Sequence, residues 1–161
     1  MTTDDLIRDR IITVISGLTP TSISRDKFVA YRNEGGADFL KWADQTGDGA
    51  LRRFQVRDDG SRPSPAVSNG DLEEQLVVFT IYVAYPKDSR AGHKNALDRD
   101  RMMSEDEYRI LYNIGYSGAS NFTSPYPDAS WREGSVDRIQ SAACDFIRIR
   151  QTMGYYRAAP P

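Results

Sequence analysis

The side chains best suited to chemistry are scarce in this sequence and stand apart from one another. The one histidine, His93, lies in the polar run Ser89-Arg-Ala-Gly-His-Lys-Asn95. No cysteine or second histidine flanks it at ligand spacing, so it reads as a surface histidine rather than a zinc ligand. The one cysteine, Cys144, lies in the apolar run Ala142-Ala-Cys-Asp-Phe-Ile147. Nothing near it in sequence would lower its pKa, and it reads as a small buried hydrophobe. A single cysteine allows no intrachain disulfide. A Cys144–His93 nucleophile pair would need the fold to bring the two together, because neither carries a signature of its own.

Carboxylates are more numerous. Asp44-Gln-Thr-Gly-Asp-Gly49 sets oxygen-bearing side chains at alternate positions ahead of a glycine, as the first half of an EF-hand calcium loop does. The last position of such a loop demands a bidentate acid and here holds Gln55, so a plain Gly-Asp turn in a loop over Asp44–Gly49 is expected. Asp98, Asp100, Glu105, Asp106 and Glu107 alternate with Arg99, Arg101 and Arg109. That mixture predicts a solvated helical face with local ion pairs. A catalytic acid–base pair would need a pocket that separates two pKa values. There is no phosphate-cradling glycine loop and no dinucleotide fingerprint. No catalytic, cofactor-binding or metal residue is assigned, and the chain is read as no enzyme. Arg148 and Arg150 fall on one face of a strand. They are either ordinary surface charge or part of an inter-subunit contact or channel wall.

The elements that position these residues follow from periodicity. Thr2 and Thr3 precede Asp4 and Asp5, a cap followed by acids that suit the positive end of a helix dipole. Ile7, Ile11, Val14, Ile15 and Leu18 then mark one face of a helix from about Thr3 to Ser16. Phe28–Tyr31 reads as a short strand, and Phe39–Trp42 as a strand or a single helical turn. Leu51–Val56 alternates as a strand does. Residues 57–71 turn to Asp, Gly, Ser, Pro and Asn and read as a long loop or an extended hairpin tip.

Leu72–Tyr85 is the strongest strand, apolar on both faces and therefore central and covered on both sides. The covers are either one helix on each face or another subunit. Ala96–Ile114 reads as a helix whose regular part starts at a Ser104–Glu107 capping box. Its apolar stripe is Ile110, Leu111 and Ile114, with Tyr108 and Tyr112 nearby. Residues 116–134 form a second long loop, Ser135–Tyr156 one long strand or a bent pair, and residues 157–161 a short tail. The fold class is α+β: a mixed or antiparallel sheet of about four to five strands packed with two main helices.

The 161 residues suit one domain, residues 1–161. Lysine and arginine number 21 against 23 acids, for a net charge of −2, and both signs are spread along the chain. The basic footprint of a dedicated nucleic-acid binder is missing. The opening MTTDDLIRDR is too acidic for a signal peptide, and no apolar run reaches the length of a membrane span. A cytoplasm-like compartment with no membrane partner is expected.

An opening amphipathic helix, short strands, the long strand Leu72–Tyr85, the helix Ser104–Ile114 and the closing strand Ala142–Arg150 form an order that resembles the tail terminator proteins of long-tailed bacteriophages. The related head–tail neck and head-completion proteins share much of the pattern. The resemblance implies a structural virion protein of the tail or neck, assembled in the host cytoplasm. It would form a homohexameric ring that caps the tail tube and joins it to the head connector. The partners implied are other copies of the chain, the tail tube protein and a neck or head-completion protein, with DNA passing through the lumen without specific binding. The family carries no catalytic residues and no cofactor. The long Tyr116–Trp131 segment, rich in Ser, Pro and Tyr, departs from the pattern and is assigned to partner contact, since Tyr and Trp favour interfaces. The proposed interface residues are Tyr116, Phe122, Tyr126, Trp131, Arg148 and Arg150. Two other readings stand beside this one: a head-completion or neck connector, and a non-viral ligand- or peptide-binding domain with the tyrosine-rich loop as its mouth.

Overall fold

The computed structural model describes residues 2–21, 23–32, 38–64, 72–87, 95–114 and 129–158. Helix α1 spans Thr3–Ser16. It starts where the sequence signals: the Asp5 N–H donates to Thr2 Oγ1 at 3.2 Å and the Thr2 N–H to the Asp5 carboxylate at 3.0 Å, a capping box that satisfies orphan donors at the helix end. The repeat then buries Ile7, Ile11 and Ile15 completely. Each such burial contributes about 1.5–3 kcal/mol.

Strands β1 (Val29–Ala30), β2 (Arg53–Pro63), β3 (Leu72–Pro86), β4 (Ala129–Gln140) and β5 (Cys144–Ala158) form one sheet in the order β1-β2-β3-β5-β4. β1 runs parallel to β2, and every other pairing is antiparallel. With α2 (Phe39–Thr46) and α3 (Ala96–Ile114), this is an α+β fold on a mixed sheet. β3 and β5 pair along their whole length, from Leu72 opposite Ala158 to Pro86 opposite Cys144. The strand read as apolar on both faces therefore stands at the centre beside β5.

The helices do not cover β3 one on each face. α1 and α3 lie on the same face. There Val77, Phe79, Ile81, Val83 and Tyr85 meet Ile7, Ile11 and Ile15 of α1 and Met102, Met103, Ile110 and Ile114 of α3. The opposite face has a smaller core at one end, where α2 seats Phe39 and Ala43 against Tyr31, Tyr82, Ala84, Cys144 and Phe146. The ring centroids of Tyr31 and Phe39 are 5.2 Å apart and those of Phe39 and Phe146 6.2 Å, within the range of favourable aromatic pairs. Leu76 and Val78, at the far end of this face, stay half-buried.

Several boundaries correct the sequence reading. Residues 57–63 are strand: β2 continues past its apolar start because β3 supplies its ladder, with a bulge between Asp58 and Ser61 opposite Phe79–Val77. Residues 129–134 begin β4, and residues 157–158 end β5 instead of forming a tail. Ser135–Tyr156 is the pair alternative, two strands joined at residues 141–143.

Phe39–Thr46 is two turns of helix, capped by Asp38, whose carboxylate accepts the Leu40 N–H at 2.9 Å. A 3-10 turn over Gly47–Ala50 follows it. The Asp44–Gly49 loop is thus largely helical, with Thr46 Oγ1 bonded back to Trp42 O. α3 is regular from Ala96, and Ser104 and Glu107 form no cap but both accept from Arg138 of β4. Tyr108 and Tyr112 are 69% and 52% exposed, facing away from the core.

Candidate interaction surface

The helix-covered face hides two charged clusters. Arg52 is fully buried at a left-handed backbone position (φ 53°), a conformation an L-residue holds only when its surroundings fix it. Its Nε donates to Asp106 Oδ2 at 2.6 Å and its Nη2 to Oδ1 at 3.2 Å. Nη1 donates to Ser24 O and, at 3.0 Å, to Asp26 O. Tyr85 donates to Asp106 Oδ2 at 2.7 Å. Burial, reinforced by the Asp106 carboxylate, holds the Tyr85 phenol well above its ordinary pKa.

This cluster ties the 24–28 segment, the start of β2, β3 and α3 together. Nearby, Arg99 donates to Asp145 Oδ2 at 2.7 Å, and Lys87 Nζ lies 3.9 Å from Oδ1. These groups and Arg138 border a cavity of about 280 Å³ beside the first turns of α3. Arg99 and Asp106 therefore belong to the buried side of α3, contrary to the solvated face expected. Their signal was present: Arg99, Met102, Met103, Asp106, Ile110 and Ile114 fall at helical spacing on one stripe.

Cys144 is fully buried, with its Sγ 3.5 Å from Ala43 O. Burial, with the negative charge of Asp44 behind it, pushes the thiol up to about 12. That is far from the thiolate a nucleophile needs. Asp44 itself accepts from Ser141 Oγ and so joins α2 to the β4–β5 turn. Among the described residues no three His, Cys, Asp or Glu side chains gather as a metal site. His93 lies outside the described residues.

Among the described residues no helix covers the face of the sheet away from α1 and α3, beyond α2; the face is largely polar, with Thr80, Tyr82 and Thr152 buried among their neighbours. The register lays its side chains in rows across the strands. One row runs Arg57, Thr80, Arg150, Ser135. The next runs Gln55, Tyr82, Arg148, Asp137. Val78, Thr152 and Glu133 make a third. An open depression of about 350 Å³ lies among Val78, Glu133, Ser135, Arg150 and Thr152.

Charge on this face is locally balanced. Arg148 donates through Nε to Asp137 Oδ1 at 2.8 Å and through Nη2 to Oδ2. This bidentate pair holds Asp137 below the usual carboxylate range. Arg57 pairs with Asp59 at 2.7 Å, and Thr80 also donates to Asp59. Arg132 reaches across β5 to Glu74 on β3 at 2.7 Å. It passes over Gly154, where a Cβ would stand 2.5 Å from Arg132 Nε. Arg150 is exposed, and among the described residues no hydrogen bond or ion pair holds it.

Arg148 and Arg150 are thus brought together on this face, as alternation predicts, with Arg148 already paired inside its own chain. Trp131 is not with them. It sits in β4 on the opposite face, half-buried against the larger core, so it belongs to a strand and not to a loop. Tyr116, Phe122 and Tyr126 lie outside the described residues. Sequence reasoning missed Arg57, Glu133 and Asp137 as members of the surface. Their signal was alternation of polar residues, which an apolar-periodicity search passes over. Comparison with known proteins finds no family model and no curated protein that this chain matches.

Proposed function

We propose that the chain is a ring subunit of a bacteriophage tail, a tail terminator that caps the tube at full length and presents a second surface to the head connector. The observation that carries this reading is the uncovered sheet surface. Rows of polar side chains and paired charges extend around an open depression, a surface suited to packing against protein, while the larger apolar core is filled from the opposite face by α1 and α3. The action is geometric. Copies add through a repeating heterologous contact whose rotation closes, and a closed ring ends growth. The subunit works without catalysis or cofactor. Acids outnumber bases, 23 to 21, and both signs are mixed along the chain, so DNA passing through the lumen slides, since tight phosphate contacts would hold it. The site of action is the virion.

Electron microscopy of the purified chain tests this. Annular particles of uniform diameter with a central hole are expected. Uniform compact particles of single-chain size, together with saturable binding of a small ligand or peptide, would contradict it and favour a ligand-binding domain.

A further inference from the structure

The sheet ends on two long edges, and both are open among the described residues. β4 has no strand on its outer side, and β2 is covered by β1 only at Arg53 and Phe54. We propose that copies of this chain join edge to edge, β4 of one copy against the Gln55–Asp58 stretch of β2 in the next, so that one sheet continues from copy to copy. The proposal rests on the ring reading and names the contact that closes the ring.

Three observations carry it. The first is direction. β2, β3, β5 and β4 are successively antiparallel, so β4 and β2 run in opposite senses. A second copy in the same orientation therefore offers β2 antiparallel to β4, with α1 and α3 on the same side of the sheet throughout. Such a contact is heterologous and repeats.

The second is that β4 lacks the usual guards of an edge strand. Proteins blunt exposed edges with proline and with charges that stand over the free backbone groups. β4 has no proline. Three of its four charges turn back onto their own chain: Arg132 to Glu74, Asp137 to Arg148, and Arg138 to Asp100 and Glu107. Glu133 completes the set and lines the open depression. The one bulge, between Trp131 and Glu133, leaves the stretch from Glu133 to Gln140 regular.

The third is charge. β4 carries Arg132 and Arg138 against Glu133 and Asp137. The β2 edge from Gln55 to Pro63 carries Arg57 and Arg62 against Asp58 and Asp59. Each edge is neutral. On the uncovered face, a register that brings Arg57 alongside Glu133 or Asp137 sets opposite charges together, whereas one that brings it alongside Ser135 sets Asp59 near Glu133. Two β4 edges meeting about a two-fold axis would set acids against acids or against neutral residues and gain nothing comparable.

The test uses cysteine pairs in the full chain: Arg57→Cys combined in turn with Glu133→Cys, Ser135→Cys and Asp137→Cys. A disulfide needs Cα atoms within about 7 Å. Within one chain β3 and β5 separate the two edges by three strand spacings, about 14 Å, so any bond formed links two copies. Cys144, buried with its thiol near 12, does not compete. Circular dichroism of each variant confirms that it folds. After mild oxidation, one of the three pairs is expected to give a ladder of multiples of one chain that collapses on reduction, while each single cysteine gives at most a dimer. A multimeric parent whose three pairs all stay uncross-linked would overturn the edge contact and leave the ring standing. A ladder without an upper limit, with filaments in the microscope, would keep the edge contact and overturn the closed ring. A monomeric parent with no ladder would overturn both.

Discussion

Arg52 and Arg148 show how the same ion-pair chemistry does different work at two depths. Each guanidinium makes two bonds to one aspartate. Arg52 and Asp106 are almost wholly buried, whereas Asp137 keeps half its side chain in water. Removing one member of a buried pair leaves an uncompensated charge and costs about 3–5 kcal/mol, while exposed pairs contribute little. Asp106→Asn is therefore expected to lower unfolding stability by about 3–5 kcal/mol in urea titration. Asp137→Asn should leave the midpoint nearly unchanged. Equal effects would mean that the Arg52 cluster does not hold the 24–28 segment to α3 and the sheet. The buried pair escaped the sequence because charges on α3 were read as solvent-facing. The helical stripe that places Arg99 and Asp106 among Met102, Met103, Ile110 and Ile114 was the signal to weigh instead.

At the scale of elements, what was legible followed the strength of local signals. α1 carries a capping box and an unbroken apolar repeat, and its bounds follow from sequence. β3, apolar on both faces, was plain as a central strand, and the closing segment was legible as strand but not as one strand or two. β4 from Ala129 to Gly134 was read as loop and β2 from Arg57 to Pro63 as loop or extended hairpin tip, because their residues are polar, small or turn-forming. They are strands because β5 and β3 offer them ladders, which is a tertiary cause and leaves little local trace. α2 is a second such case, since its aromatic residues fit a strand or a helix until Tyr31 and Phe146 define the cleft it fills. Phe39→Ala should therefore cost about 3–5 kcal/mol, as large-to-small changes of buried aromatics do, with the sheet signal in circular dichroism retained. Loss of the sheet signal in that variant would show that α2 is needed to form the sheet and is more than a cover for one end of it.

Across the described residues, α1 and α3 crowd one face of the sheet and only α2 packs on one end of the other. This asymmetry gives a chain of modest apolar content (39%) a surface to share with neighbours. Arg148 and Arg150 were legible as partners on that surface because strand alternation alone places them together. Their neighbours Thr80, Arg57, Ser135 and Asp137 come from three other strands, and only the register of those strands brings them alongside. The ring reading draws its support from this surface and from the order of elements. Native mass spectrometry of the purified chain tests it most directly. A dominant species at six times 18.1 kDa, with no larger series, is the expected result, and a single-chain mass at every concentration would contradict it.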